Sequence, residues 1–189
     1  MKVNLYDFDN TIYSGDSSFD FFFFCMKRHK GIKRLIPKII ISFIKFKIHS
    51  ITYTKMKETI FEYFKYIPNI DEEVECFWKE HKANIKRFYL IKNHDNDVII
   101  SSGPEFLLKP ICDELKVLKL IGSRVDPKTG KYDGLDCHDI EKVNRFYEEF
   151  KKSTKVKEAY SDSHHDIPML KLAEKQFLVK NEFLNPVDF

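Results

Sequence analysis

The chain has 189 residues, enough for one α/β domain with a small insertion but too few for two full domains. Its 32 Lys and Arg residues against 29 Asp and Glu residues give a net charge of +3, which is too small to indicate a nucleic-acid partner. The four cysteines show no paired spacing, which is typical of a reducing compartment.

The first predicted element is a short aliphatic strand that ends in two aspartates. Residues 3–7 form the strand, and the run continues Asp7-Phe8-Asp9-Asn10-Thr11. Carboxylates two apart at the end of a buried strand are costly to hold together unless a cation neutralises them, so the spacing indicates a hard divalent metal such as Mg²⁺. Taken alone, the segment is also compatible with a strand followed by a solvated Asx turn.

Residues 17–90 differ in character from the rest of the chain. Gly31 is their single glycine, and helical patterns rich in Phe, Ile and Lys replace the strand patterns. We interpret this segment as an all-helical cap inserted into a core made of residues 1–16 and 91–189. Such a cap would close over the site, exclude water and select the substrate.

One helical stretch of the cap, residues 32–48, has a wide apolar face and a narrow polar stripe. The apolar face comprises Ile36, Ile39, Ile40, Phe43, Ile44 and Ile48, and the stripe comprises Arg34, Lys38, Ser42, Lys45 and His49. We expect the apolar face to be the core of a helical bundle. The alternative is a helix lying in a membrane interface, but lysines interrupt the stretch too early for a transmembrane span.

A second strand-to-helix junction lies at Val98-Ile99-Ile100-Ser101-Ser102-Gly103-Pro104. The pattern predicts a buried parallel strand and then a helix with Pro104 in its first turn. Hydroxyls and free amides at a helix N-terminus form a phosphate cradle, with Ser102 the preferred ligand and Ser101 the alternative. Both serines would otherwise serve only as helix caps.

Two further segments complete the constellation. Lys142 falls in the first turn of a helix that Asp139 would cap, with Ile140, Val143, Tyr147 and Phe150 on one face. A cation in that position opposes the helix dipole. Downstream, a strand at 156–160 enters a loop with Asp162 and Asp166, which would supply further carboxylates to a metal, whereas His164 and His165 are poor ligands for Mg²⁺ and are interpreted as flanking residues.

Together these four motifs resemble the haloacid dehalogenase superfamily of phosphatases, in particular subfamily IB, the phosphoserine-phosphatase-like branch with a helical cap between the first two motifs. The Ser-Gly-Pro, Glu-Lys-Val and Tyr-Ser-Asp-Ser-Xaa-Xaa-Asp-Xaa-Pro-Met-Leu sequences are also similar to those of the phosphatidylglycerophosphatase C group. The resemblance covers the chain from end to end.

The resemblance implies a role for each motif residue. Asp7 would be the nucleophile and Asp9 the general acid and base. Ser102, Gly103 and Lys142 would hold the phosphoryl oxygens.

The same resemblance implies the metal ligands. Mg²⁺ would be bound by Asp7, the backbone carbonyl of Asp9 and Asp162, with Asp166 ordering a metal-bound water or Lys142.

Three positions qualify this resemblance. Asn10 replaces a common glycine, and asparagine tolerates the left-handed conformation the turn needs. Pro104 stands where phosphoserine phosphatases tend to have a second glycine, which weakens the case for phosphoserine itself. Asp16 occupies the place of an acidic substrate-binding residue and would recognise an amine, or it would serve as a helix cap before Ser17, the role we favour.

The expected fold is a doubly wound α/β sheet, a Rossmann-like core in which the motifs lie at the carboxyl ends of the strands. The predicted strands are residues 3–7, 98–101, 117–121, 156–160 and 176–179, with a short β-hairpin at 125–134.

The expected function is Mg²⁺-dependent hydrolysis of a small phosphorylated metabolite through an aspartyl-phosphate. The alternatives are a lipid-phosphate phosphatase with its cap against the membrane, a phosphotransferase that uses an alcohol acceptor, and a non-catalytic phosphate-binding module. Because the first motif begins close to Met1, we expect no signal peptide and a cytoplasmic location, with contact at the inner face of the membrane left open. The oligomeric state cannot be predicted from the sequence.

Overall fold

A computed structural model describes residues 1–92 and 94–189, which alternate between strands and helices outside one long helical insertion. The strands are β1 (Lys2–Tyr6), β2 (Asp97–Pro104), β3 (Lys119–Ser123), β4 (Lys155–Ser161), β5 (Ala173–Lys180) and β6 (Phe183–Val187). The helices are α1 (Ser17–Arg28), α2 (Ile36–Lys47), α3 (Tyr53–Phe61), α4 (Ile70–His81), α5 (Arg87–Leu90), α6 (Glu105–Glu114), α7 (Ile140–Glu149) and α8 (Ile167–Leu170). Short 3₁₀ turns join several of them.

The six strands form one sheet in the order β3-β2-β1-β4-β5-β6. The first five are parallel, with Leu5 of β1 opposite Val98 of β2 and Ala159 of β4, whereas β5 and β6 are antiparallel. This order is the predicted doubly wound arrangement with β1 at its centre. Ligands in such folds bind beyond the carboxyl ends of the central strands.

All five predicted strands are present, with modest differences at their ends. The last strand, β6, contains Pro186 and was not predicted, because proline within a strand pattern argues against a strand. It lies at the edge of the sheet, where a missing N–H is tolerated. The predicted hairpin at 125–134 is a turn closed by a single bridge between Val125 and Tyr132.

Helices α1–α5 lie between β1 and β2, in the segment predicted to form an all-helical cap. The two chain crossings between cap and sheet run side by side: the Ser14 amide donates to the Asn84 carbonyl at 2.9 Å, and the Lys86 amide donates to the Ile12 carbonyl at 2.7 Å. Trp78 of α4 then joins the cap to α6, because its indole N–H donates to the Leu107 carbonyl at 2.6 Å. The division at residues 16/17 and 90/91 stays a prediction.

The expectation that the apolar side of α2 forms a bundle core holds for only part of that side: Ile39 is in the core and Phe43 packs against it, whereas Ile40, Ile44 and Ile48 are exposed. Ile39 and Ser42 are the buried positions of this helix, and the Ser42 hydroxyl donates to the Ile39 carbonyl at 2.7 Å instead of facing water. The opposite side carries Ile40, Ile41, Ile44 and Ile48, which are 52–67% exposed. We call these four side chains the isoleucine face. Helical periodicity indicates which residues share a face, but not which face meets the core.

The face of α7 that carries Ile140, Val143, Tyr147 and Phe150 is not the face that the helix buries most deeply. Ile140 is 58% exposed and Tyr147 39% exposed, whereas Lys142, Arg145 and Phe146 are buried. The Arg145 guanidinium donates to the carbonyls of Gly122 and Leu135, each at 2.6 Å. Buried cations with satisfied hydrogen bonds therefore determine how this helix faces the sheet.

Among the residues that the structure describes, no helix is both long enough and apolar enough to cross a bilayer.

Candidate active site

The site is built on Asp7, which directly follows β1 at the centre of the sheet. The Asp7 amide donates to the Tyr160 carbonyl of β4 at 2.9 Å and so continues the ladder. Its carboxylate is buried and accepts from the Lys142 ammonium at 2.6 Å and from the Thr11 hydroxyl at 2.9 Å. Burial raises the pKa of Asp7 to about 6 even though Lys142 pulls it down. Asp7 is therefore ionised at neutral pH.

Lys142 lies in the first turn of α7, as predicted, and is 3% exposed. Its ammonium also donates to Asp166 at 2.8 Å. Burial lowers the pKa of Lys142, but the two carboxylates outweigh this effect and hold the pKa above its ordinary value. Asp139 is the N-cap residue of α7, but its side chain makes no capping hydrogen bond, contrary to expectation.

Asp166 faces Lys142 and a hydroxyl. One of its carboxylate oxygens accepts from Lys142 and from the Ser161 hydroxyl, the latter at 2.6 Å. Of the two roles left open for Asp166, this geometry favours positioning of the lysine.

Asp9 lies at the entrance to the cap. Its carboxylate accepts from the Ser17 amide, in the first turn of α1, at 2.7 Å. Burial, followed by the charge of Asp16, raises the pKa of Asp9 to about 8. A carboxyl group that is protonated at neutral pH has the property a general acid requires.

Asp162 is joined to Asp7 through Thr11. The Thr11 hydroxyl donates to Asp7 and accepts from the Asp162 amide at 2.9 Å, and the Asp162 carboxylate lies 3.4 Å from the same hydroxyl. Burial, together with Asp166, raises the pKa of Asp162. Within the described residues no cluster of three or more His, Cys, Asp or Glu side chains is arranged to hold a metal.

The two serines in the last part of β2, Ser101 and Ser102, have different surroundings. The Ser101 hydroxyl is buried and accepts from the Gly103 amide at 3.0 Å. Ser102 lines the cavity described next, whereas the Gly103 amide is directed to Ser101. Neither serine caps α6, because the strand continues through Pro104, which is the N-cap of the helix rather than part of its first turn.

The motif residues surround a cavity of about 240 Å³. Its lining comprises Asp7, Asp9, Asn10, Asp16, Tyr53, Ser102, His138, Lys142, Asp162, Ser163, His165 and Asp166. Asp16 is the N-cap of α1, accepting from the Phe19 amide at 3.0 Å, and also reaches the cavity. Both interpretations of Asp16 are therefore compatible with its position.

A narrower pocket continues from the cavity between α1, α3 and the core. It shares Asp9, Asp16, Tyr53 and Ser102 with the cavity, and its further lining comprises Ser18, Phe19, Met56, Lys57, Ile60 and Phe61. The Lys57 ammonium does not point freely into this pocket, since it is paired with Asp136 at 3.1 Å and donates to the Ser102 carbonyl at 2.9 Å. The pocket is therefore mainly apolar with an acidic mouth.

Sequence reasoning assigned no role to four side chains of this region. Thr11 and Ser161 lie within two residues of motif aspartates, and this closeness in the sequence could have indicated that they belong to the site. Tyr53 and His138 come from distant segments and meet only in the fold, with ring centroids 5.6 Å apart.

The sheet is doubly wound, has a helical insertion after β1, and carries carboxylates and a buried lysine at the strand ends. These features are typical of a class of α/β enzymes that bind ligands at this edge of the sheet. The model of the haloacid dehalogenase-like hydrolase family matches residues 5–171, and the chain belongs to that family.

Solved structures show the same fold at low sequence identity. A protein of unknown function from Bordetella pertussis Tohama I is 18% identical over 94% of this chain and 89% of its own, with a TM-score of 0.74. A phosphoserine phosphatase in apo form is 19% identical over 93% and 84%, with a TM-score of 0.61. A phosphoserine phosphohydrolase-like protein from Francisella tularensis subsp. tularensis SCHU S4 is 13% identical over 94% and 87%, with a TM-score of 0.58. No curated protein sequence matches this chain.

Proposed function

We propose that the chain is a Mg²⁺-dependent phosphomonoesterase that acts through an aspartyl-phosphate on Asp7. The observation that carries this proposal is the Lys142 ammonium, held between Asp7 and Asp166 at 2.6 and 2.8 Å in a cavity that Asp9 and Ser102 also line. Membership of a hydrolase family supports it.

Asp7 attacks phosphorus, forming the acyl phosphate and releasing the alkoxide of the substrate. Asp9, protonated at neutral pH, donates its proton to that alkoxide and then accepts one from the water that hydrolyses the intermediate. Lys142 and Ser102 hold the phosphoryl oxygens, because phosphoryl transfer depends mainly on position and on charge neutralisation.

Mg²⁺ would be held by Asp7, Asp162 and the Asp9 carbonyl. The oxygen-only donor set fits, and the excess of carboxylates over cations in the cavity gives a divalent ion a favourable place. When bound, it neutralises phosphate charge.

For the substrate we propose a small phosphorylated metabolite. The cavity of about 240 Å³ and its narrow apolar extension suit a phosphate with a compact alcohol. A phosphorylated lipid is the second candidate, because the isoleucine face leaves apolar side chains of the cap exposed. The free cysteines support the expected cytoplasmic location.

The first test is hydrolysis of p-nitrophenyl phosphate with Mg²⁺ and with EDTA. We expect turnover with the metal, loss of turnover with EDTA and recovery when Mg²⁺ is added back. Asp7→Asn should abolish turnover with little change in the folded state, because the amide is nearly isosteric. Asp113→Asn, on the exposed side of α6, is the matched control and should behave like the wild type. Activity that persists in Asp7→Asn would refute the assignment of the nucleophile.

Trapping distinguishes the aspartyl-phosphate from direct attack by water. Borohydride reduces an acyl phosphate to an alcohol, so quenching during turnover should convert Asp7 to homoserine, detected by peptide mass spectrometry. Unmodified Asp7 under rapid turnover would contradict the intermediate.

A panel of phosphoserine, sugar phosphates, nucleotides and lysophospholipid phosphates then identifies the substrate. Including simple alcohols in the assay detects a phosphorylated acceptor, which would make the enzyme a phosphotransferase.

A further inference from the structure

The isoleucine face lies opposite the buried side of α2. At 100° per residue, Ile40, Ile41, Ile44 and Ile48 fall within an arc of about 100°. Lys47 lies near one edge of this arc and Lys45 near the other. An apolar stripe with lysines along both edges is typical of helices that lie in a membrane interface, where the long side chains reach back to the headgroups.

The charge around this helix is strongly asymmetric. Residues 21–57 contain ten Lys and Arg and no Asp or Glu, although the whole chain has a net charge of only +3. Four of these cations, Arg28, Lys38, Lys55 and Lys57, form ion pairs with carboxylates outside the segment. The other six are exposed: Lys27, Lys30, Lys33, Arg34, Lys45 and Lys47. The segment that carries the apolar face is thus strongly cationic, and Lys45 and Lys47 lie at the edges of the face itself.

We propose that the isoleucine face binds the surface of an anionic lipid bilayer, with α2 lying in the plane of the membrane. Burial of four exposed isoleucines supplies the apolar contribution, and the exposed lysines and arginine of this segment supply attraction to anionic headgroups. The face is aliphatic and contains no aromatic anchor, which distinguishes it from typical protein interfaces. A second copy of the chain fits poorly, because pairing two such faces brings like charges together.

The experiment is flotation of the full chain with vesicles of phosphatidylcholine alone or mixed with phosphatidylglycerol. The wild type should float with the mixed vesicles at low salt, stay at the bottom with phosphatidylcholine alone, and be released at high salt. Protein that remains at the bottom with anionic vesicles at low salt would overturn the proposal.

Variants locate the contact. Ile41→Glu/Ile44→Glu should abolish flotation, whereas Phe183→Glu, at a residue 72% exposed elsewhere, should not. Lys45→Ala and Lys47→Ala should each weaken partitioning roughly five-fold. Circular dichroism checks that each variant is folded. A folded Ile41→Glu/Ile44→Glu variant that floats like the wild type would show that another surface binds.

Two controls separate this proposal from its competitors. Asp7→Asn should float like the wild type whatever its activity, so failure of the phosphatase assignment and failure of membrane binding are distinguishable. A dimer in light scattering that Ile41→Glu/Ile44→Glu abolishes would assign the face to a second copy and overturn the proposal.

Discussion

The side chains that line the cavity place several carboxyl groups close together, which disfavours the folded state. Five aspartates, Asp7, Asp9, Asp16, Asp162 and Asp166, line the cavity together with Lys142. Burial favours the protonated form of a carboxyl group, which is why the pKa values of Asp7 and Asp9 are raised to about 6 and about 8. The arrangement destabilises the folded state, and it suits the proposed binding of a metal and the proposed proton donation by Asp9.

This cost predicts a pH dependence of stability. A carboxyl group with a raised pKa in the folded state binds more protons there than in the unfolded chain, so its contribution is lost as pH rises through the folded pKa. In EDTA, the wild type should therefore lose free energy of unfolding relative to Asp9→Asn as the pH rises towards 8, the value to which the pKa of Asp9 is raised. Urea unfolding of both proteins at several pH values measures the difference. Parallel curves would show that Asp9 titrates normally.

Substitution of Lys142 should affect both turnover and stability. Lys142→Met keeps the length of the side chain but leaves Asp7 and Asp166 facing each other without a cation. We expect turnover to fall by about 10²-fold or more, because a donor to the transferring group is lost. The free energy of unfolding should fall by about 3–5 kcal/mol.

Two comparison variants accompany Lys142→Met. Lys109→Met removes an exposed ion pair with Asp113 and should change neither quantity appreciably. Adding Asp166→Asn to Lys142→Met should restore part of the stability but not the activity. Normal turnover in Lys142→Met would remove the lysine from the mechanism.

Among the elements, those with strong local patterns could be predicted and those determined by tertiary contacts could not. The central strands are short apolar runs with polar ends, and parallel strands bring such ends to one edge of a sheet. That rule alone brings Asp7, Ser102 and Asp162 together. The position of Lys142 followed from helical spacing, but its burial did not, because a hydrophobic pattern cannot reveal a cation that two carboxylates hold inside.

The apolar side of α2 shows the opposite failure. A wide hydrophobic stripe normally indicates burial, yet the structure buries only Ile39 of this one, together with Ser42, and leaves Ile40, Ile44 and Ile48 exposed. Tyr53 and His138 were missed because they carry no local motif and reach the cavity only through the fold.

Helix α3 is tied to the core by one buried ion pair. Lys57 is paired with Asp136 and also donates to the Ser102 carbonyl, behind the proposed phosphate site. Lys57→Met should destabilise the protein by about 3–5 kcal/mol, because Asp136 is left buried without its partner. Lys55→Met, two residues away, removes an exposed pair with Glu58 and should cost less than about 1 kcal/mol.

Double substitution separates charge from packing. Lys57→Met/Asp136→Asn should recover part of the stability, since no unpaired charge remains. A Lys57→Met variant as stable as Lys55→Met would show that the pair contributes nothing to holding the cap, and thermal melts of the three variants decide the point.

Across the whole molecule, one apolar cluster runs through the cap and the sheet. It includes Phe21, Tyr63 and Phe77 from the cap together with Tyr6 and Ile99 from the sheet. Two structural units that share one core are expected to unfold together, because separating them would expose the apolar surface between them. We therefore expect the cap and the sheet to unfold together, even though the cap is an insertion in the sequence.

The single tryptophan tests this expectation directly. Trp78 is 3% exposed, packs edge-on against Phe8 and Tyr13 at 5.9 and 5.7 Å, and donates to Leu107, so it lies where the cap meets the core. Its fluorescence and the far-ultraviolet circular dichroism should give the same denaturation midpoint.

Trp78→Ala should lower the free energy of unfolding by about 3–5 kcal/mol without splitting the transition. In the wild type, a fluorescence change that precedes the loss of helix would mean instead that the cap separates from the sheet while both remain folded. Coincident transitions would show that the cap and the sheet unfold as one cooperative unit.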